Sequence, residues 1–103
     1  MLKLTRRVFF VSDRTGITAE TLGRSLLTQF PNTEFRITNI PFVTNQRAAE
    51  KAAATIRGAH EQDGTAPLVF STLTDPAMQS VISSSTPHVF DLFGTFIEPL
   101  EDA

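Results

Sequence analysis

The apolar residues of this chain switch period again and again, and that switching constrains the fold more than any other feature. Val8-Phe9-Phe10-Val11 is an unbroken β-branched and aromatic run closed by Ser-Asp-Arg-Thr-Gly, the pattern of a strand buried on both faces. Ala19, Leu22, Leu26 and Phe30 then recur at helical steps, a stripe along one helix face that Pro31-Asn32 stops. Phe35, Ile37 and Ile40, with Arg36 and Thr38 interposed, predict a second strand nearer a sheet edge, ended by Pro41. From Gln46 to Arg57 strong helix formers dominate, with Ala49, Ala52, Ala53 and Ile56 facing inward and Gly58 near the end. A face of small residues lets a helix lie close to a sheet.

The alternation continues. Leu68-Val69-Phe70 predicts a third strand, and Asp75 caps a short third helix that has Pro76 at its first position and closes near Ser83. His88-Val89-Phe90 predicts a fourth strand, and Asp91-Leu92-Phe93-Gly94 leads into a last helical stretch. Crossovers of about a dozen residues or more force parallel pairing with right-handed connections. The expected fold is therefore α/β: one domain over residues 1–103, with an open parallel sheet of about four strands in the order 2-1-3-4 and helices on both faces, a Rossmann-like half. Phe90, Phe93 and Phe96 are expected in the core; exposure of Phe93 or Phe96 would instead mark a docking face. Phe96 to Ala103 reads as a helix being entered, without a basic last turn or closing Gly, the pattern of a chain cut at a domain boundary.

Composition closes several chemistries. With no cysteine, the chain has no disulfide scaffold, thiolate nucleophile or Cys-based zinc site, and His60 and His88 alone cannot build a metal cage. No metal site is expected. His60 reads as a solvated residue just past the second helix, and His88 as the opening of a strand. Nine basic against eleven acidic residues leave a net charge of −2, far from the basic balance of a domain that neutralises nucleic-acid phosphates. The longest apolar runs are too short to cross a bilayer, and Met1 to Arg7 lacks the apolar stretch of a secretory signal, so no nucleic acid, no membrane and a cytoplasmic location are expected.

In an open parallel sheet, ligands bind beyond the carboxyl ends of the strands, at the point where the strand order reverses. Ser12, Asp13, Thr15, Gly16 and Thr18 lie there, joining the first strand to the first helix. Free N–H groups and the positive end of a helix dipole favour a phosphate by about 0.3–1 kcal/mol, and the Ser12, Thr15 and Thr18 hydroxyls can add donors. Gly16 allows close backbone approach. Asp13 opposes this, since its charge repels a phosphate unless Mg²⁺, Arg14 or a neutral group lies between. The alternative is purely structural: Thr15 or Thr18 caps the helix, Asp13 makes an Asx-turn and Gly16 serves a tight turn. Ser71 and Thr72, after the third strand, can donate to the same ligand or simply end the strand. Asp91, after the fourth, can hold a metal, a ribose hydroxyl or a basic partner, or cap the following helix. The loop lacks the glycines of G-x-G-x-x-G and of G-x-x-x-x-G-K-[ST], and no Gly-Lys pair occurs anywhere in the chain. No catalytic residue can be assigned.

Val8 to Glu20, Gln29-Phe30-Pro31, Pro41-Phe42-Val43, Pro67 to Thr72 and Val89 to Phe93 together resemble the N-terminal part of the regulatory proteins of pyruvate, phosphate dikinase and phosphoenolpyruvate synthase. The resemblance runs in order along nearly the whole chain, and its specificity rests on Ser12, Asp13, Thr15, Thr18 and Ala19. It implies a bifunctional serine/threonine kinase and phosphorylase that uses ADP to phosphorylate a threonine of the dikinase or synthase and removes that phosphate with Pi, releasing pyrophosphate. It further implies a longer chain whose C-terminal kinase domain carries the nucleotide-binding P-loop, with ADP and phosphate, and optionally Mg²⁺, as its ligands. No cofactor is then expected within residues 1–103, which alone should be inactive. Two rival readings stay open: a non-catalytic module for partner docking or homodimerisation through Phe93 and Phe96, and a small-anion-binding domain.

Overall fold

A computed structural model describes residues 4–103 of the chain. The leading Met1 to Lys3, part of the amino-terminal stretch considered above, lie outside the described residues. Strand β1 (Leu4–Val11) pairs in parallel with β2 (Thr33–Ile40) on one side and with β3 (Leu68–Ser71) on the other, and β3 pairs in parallel with β4 (Val89–Asp91). The order is β2-β1-β3-β4, as the alternating periods predict. Register is set by burial: Phe10 lies opposite Asn39 in β2 and Phe70 in β3, and the Phe10 and Phe70 rings pack at 5.8 Å between centroids.

The side chains of β1 alternate between two cores, as strand geometry requires. Phe9 and Val11 join Val69, Leu73, Ile82 and the small face of α2 (Gln46–Asp63) on one side of the sheet. Val8 and Phe10 join Ala19, Leu27, Phe70 and Leu92 on the other, beneath α1 (Ile17–Leu27). Helix α3 (Pro76–Ser83) packs beside α2 and is capped by Asp75, whose Oδ1 accepts from the N–H groups of Ala77 and Met78 at 2.8 and 3.2 Å. A π-helical turn (Phe93–Ile97) and a short α4 (Glu98–Asp102) follow β4.

Three details depart from the sequence reading. The buried face of α1 is Ala19, Gly23 and Leu27, whereas Leu22 and Leu26 are 39% and 48% exposed and Phe30 lies beyond the helix, largely in solvent. The cause is Phe10: a Cβ on Gly23 would run into its ring, so the helix turns its smallest residues toward the sheet and its leucines aside. Helix α2 runs through Gly58 and His60 to Asp63 and ends at Gly64, which takes the left-handed conformation at φ 70° and donates its N–H to the His60 carbonyl at 2.8 Å. Arg7 holds that extended end to β1 through Asp63 at 2.8 Å and Gln62 at 2.9 Å. Finally, Phe90 and Phe96 are not core residues; about half of each is exposed, Phe90 on the edge strand β4 and Phe96 on the π-helical turn that covers only part of the sheet face beside α1.

Candidate functional site

The turn from β1 into α1 is stitched to both neighbouring strands. Ser12 N–H donates to the Ile40 carbonyl at 3.1 Å, Val43 N–H to the Ser12 carbonyl at 2.9 Å, and Phe42 N–H to the Arg14 carbonyl at 2.9 Å. On the other side Thr72 N–H donates to the Val11 carbonyl at 3.0 Å. Phe42 is held at φ 58° by this arrangement, a left-handed conformation that costs a side-chain-bearing residue about 1–2 kcal/mol. Within the turn, Ser12 Oγ accepts from Arg14 N–H at 3.0 Å, so this buried hydroxyl is a turn builder.

Gly16 is the N-cap of α1, at φ 89°, and no side chain caps the helix. The capping alternative for Thr15 and Thr18 is thereby corrected: both side chains are exposed, and the first N–H groups of α1 are left without a side-chain acceptor. These groups open into a cleft of about 290 Å³ at the carboxyl edge of the sheet. Ser12, Asp13, Thr15, Gly16 and Thr18 all line it, and Thr72 joins them from the end of β3. Asp13 makes no Asx-turn; its Oδ2 instead accepts from Thr74 Oγ1 at 2.8 Å and, more loosely, from Thr74 N–H at 3.4 Å.

The other two sequence candidates are occupied elsewhere. Ser71 is fully buried, with its hydroxyl donating to Gln79 Oε1 at 2.6 Å and accepting from Leu73 N–H at 3.3 Å. Asp91 Oδ1 accepts from Gly94 N–H at 2.9 Å, capping the turn after β4, and Gly94 has no Cβ because the same carboxylate fills that space. Neither lines the cleft. Sequence reasoning missed Thr74, Phe93, Ile97 and Glu101, which do. Position after β3 was the available signal for Thr74, whereas Phe93, Ile97 and Glu101 arrive through a π-helical turn that periodicity does not announce.

The cleft combines uncapped amides, four threonine side chains, Arg14, and the carboxylates of Asp13 and Glu101. Such a set suits a phosphoryl group that brings a cation or meets the Arg14 guanidinium. Among the described residues no cluster of three or more His, Asp or Glu could hold a metal by itself, and no helix is long and apolar enough to cross a membrane.

Open parallel α/β sheets bind their ligands at this carboxyl edge, and comparison with known proteins places the chain in a specific family. Residues 8–103 match the model of the kinase/pyrophosphorylase family, and the chain belongs to that family. It is 48% identical over 99 residues to a protein of Legionella pneumophila (strain Corby) named "Putative phosphoenolpyruvate synthase regulatory protein", covering 96% of this chain and 36% of the relative. Proteins of the same name from Halorhodospira halophila and Acinetobacter baylyi are 54% and 47% identical over 97 and 98 residues, covering 93% and 95% of this chain and 35% of each relative. The chain thus spans about a third of the length of these relatives.

Proposed function

We propose that the chain is the N-terminal α/β domain of a cytoplasmic, bifunctional regulator of phosphoenolpyruvate synthase, or of the related dikinase, and that its cleft faces the phosphoryl group being moved. The relatives' name favours the synthase as protein substrate. In the forward direction a threonine hydroxyl of the target takes the terminal phosphoryl group of ADP and AMP leaves. In the reverse direction an oxygen of Pi attacks the phosphothreonine phosphorus, the threonine oxygen leaves with a proton, and pyrophosphate forms. Both directions pass negative charge through one place, and electrostatic stabilisation by preset donors is the main contribution a protein makes to phosphoryl transfer.

The observation that carries this reading is the uncapped N-terminus of α1 opening into the cleft beside Thr15, Thr18 and Thr72. The chain has no Gly-Lys pair, so nucleotide binding falls to the part of the relatives' length that this chain does not span, with Mg²⁺ arriving on the nucleotide. The test is ADP-dependent labelling of a synthase threonine, read by mass spectrometry. The full-length protein should label it and residues 1–103 alone should not. Labelling by the short chain alone would overturn the proposal.

A further inference from the structure

Toward the amino-terminal end of the strands, away from the cleft described above, lies a second depression of different character. Thr5, Arg6, Arg7, Arg36, Asp63 and Thr65 line a cleft of about 280 Å³ where the first halves of β1 and β2 meet the end of α2. Three of the chain's nine basic residues gather there against one carboxylate, in a protein whose net charge is −2. Ser12 lies five residues beyond Arg7 along extended backbone, which sets the two clefts about 16 Å apart. A small ligand in the second therefore cannot touch atoms held at the first.

Local structure accounts for part of this cluster. Arg7 Nε meets Asp63 Oδ2 at 2.8 Å and its Nη2 donates to Gln62 Oε1 at 2.9 Å, and a cation at the C-terminal end of α2 is favoured by the helix dipole. Arg6 turns Nη2 to the Ala66 carbonyl at 2.7 Å. Arg36 is left over. It stands directly beside Arg7 in the β1–β2 register, so both side chains leave the same face of the sheet, where like charges repel. Its own ion pair, with Glu34 at 3.9 Å, joins side chains that are both more than half exposed, and such a pair offsets little. Asp63 is already engaged by Arg7.

We propose that this cleft is a second anion site, taking a phosphate dianion, free or as the head of a small phosphate ester, with Arg36 as its principal ligand and Arg7, Thr5 and Thr65 around it. The cross-strand pair of guanidinium forks offers paired N–H donors of the kind that grip two oxygens of one phosphate, and the threonine hydroxyls can reach the remaining ones. Charge selects the dianion: three guanidinium groups against one carboxylate leave two positive charges, which a phosphate of about −1.5 to −2 at neutral pH cancels and a single carboxylate would not. Size limits the rest of the molecule, since the cleft lies below the usual range of small-molecule sites, about 300–1,000 Å³. The site stands independently of the activity proposed above.

Amide chemical shifts of the 103-residue chain test it, with inorganic phosphate and glycerol 3-phosphate titrated separately and ionic strength held constant with sodium chloride. The Thr5, Arg7 and Thr65 amides should shift saturably, with a Kd on the order of 1 mM. Tighter binding of the ester would name it as the source of the phosphate, and equal binding would name the free ion. Arg36→Gln removes an exposed side chain that the fold does not need and should weaken these shifts about tenfold. Amides from Thr15 to Thr18 report the first cleft and should behave identically in both proteins; silence there in both would count against the first cleft and leave the second standing. Shifts at Thr5, Arg7 and Thr65 that sodium chloride alone reproduces, or that Arg36→Gln leaves unchanged, would overturn the proposal.

Discussion

Thr74 Oγ1 donates to Asp13 Oδ2 at 2.8 Å, joining residues 61 positions apart and fastening the turn after β1 to the segment after β3. The bond fixes the direction of Asp13, one of the two carboxylates that line the cleft. Asp13→Asn keeps an acceptor for Thr74 and removes the charge. It should therefore leave stability within about 0.5 kcal/mol and, on the function proposed above, tighten Pi binding, measured by calorimetry in the absence of Mg²⁺, because repulsion at short range is relieved. Weaker binding by the variant when the titration is repeated with Mg²⁺ present would mean that Asp13 acts through a bound cation.

Thr15→Ala and Thr18→Ala separate capping from ligand contact. Loss of a genuine cap costs about 0.5–2 kcal/mol, but neither residue caps α1. Urea denaturation should find both variants within about 0.5 kcal/mol of the parent, while, on the function proposed above, the same substitutions in a full-length family member should lower Pi-dependent dephosphorylation.

Gly16→Ala should destabilise the chain by about 1–2 kcal/mol, the cost of the left-handed conformation for a residue with a Cβ. Space is not the cause, since the nearest atom to the added Cβ is Ser12 Cβ at 3.9 Å. The midpoint of chemical denaturation reads it directly.

Two helical glycines should respond in opposite directions. Gly58 lies in α2 with nothing within 4 Å of a new Cβ, so Gly58→Ala should stabilise by about 0.4–1 kcal/mol. Gly23→Ala pushes into the Phe10 ring and should cost about 1–3 kcal/mol. Combining Gly23→Ala with Phe10→Leu should recover part of that loss, a coupling that a double-mutant cycle measures in denaturant.

Legibility followed the range of the interaction. The strands, their order and the cap of α3 are local or topological matters. Asp75 before Pro76 and the apolar run of β1 declare themselves within a few residues. The rotation of α1 is not local, because it depends on Phe10 meeting Gly23, and counting leucines cannot detect a ring on the neighbouring strand. The end of α2 was misplaced for a related reason: Gly58 costs a helix less than a full turn of further packing through Ala59 returns, and only Gly64 takes the left-handed conformation. The cleft was half legible. Ser12 to Thr18 and Thr72 follow strand ends by rule, whereas Ser71 and Asp91 also follow strand ends and are diverted to Gln79 and Gly94. Adjacency to a strand's end places a residue near the site without aiming its side chain.

The backbone bonds that bind Ser12 and Arg14 to Ile40, Phe42 and Val43 have a consequence for recognition. A turn moored at this many points cannot wander in the absence of its guest, so little ordering entropy remains to be lost when an anion docks. Whatever selectivity the cleft has would then reside in its fixed shape, and a visitor of the wrong geometry would be refused outright instead of being accommodated.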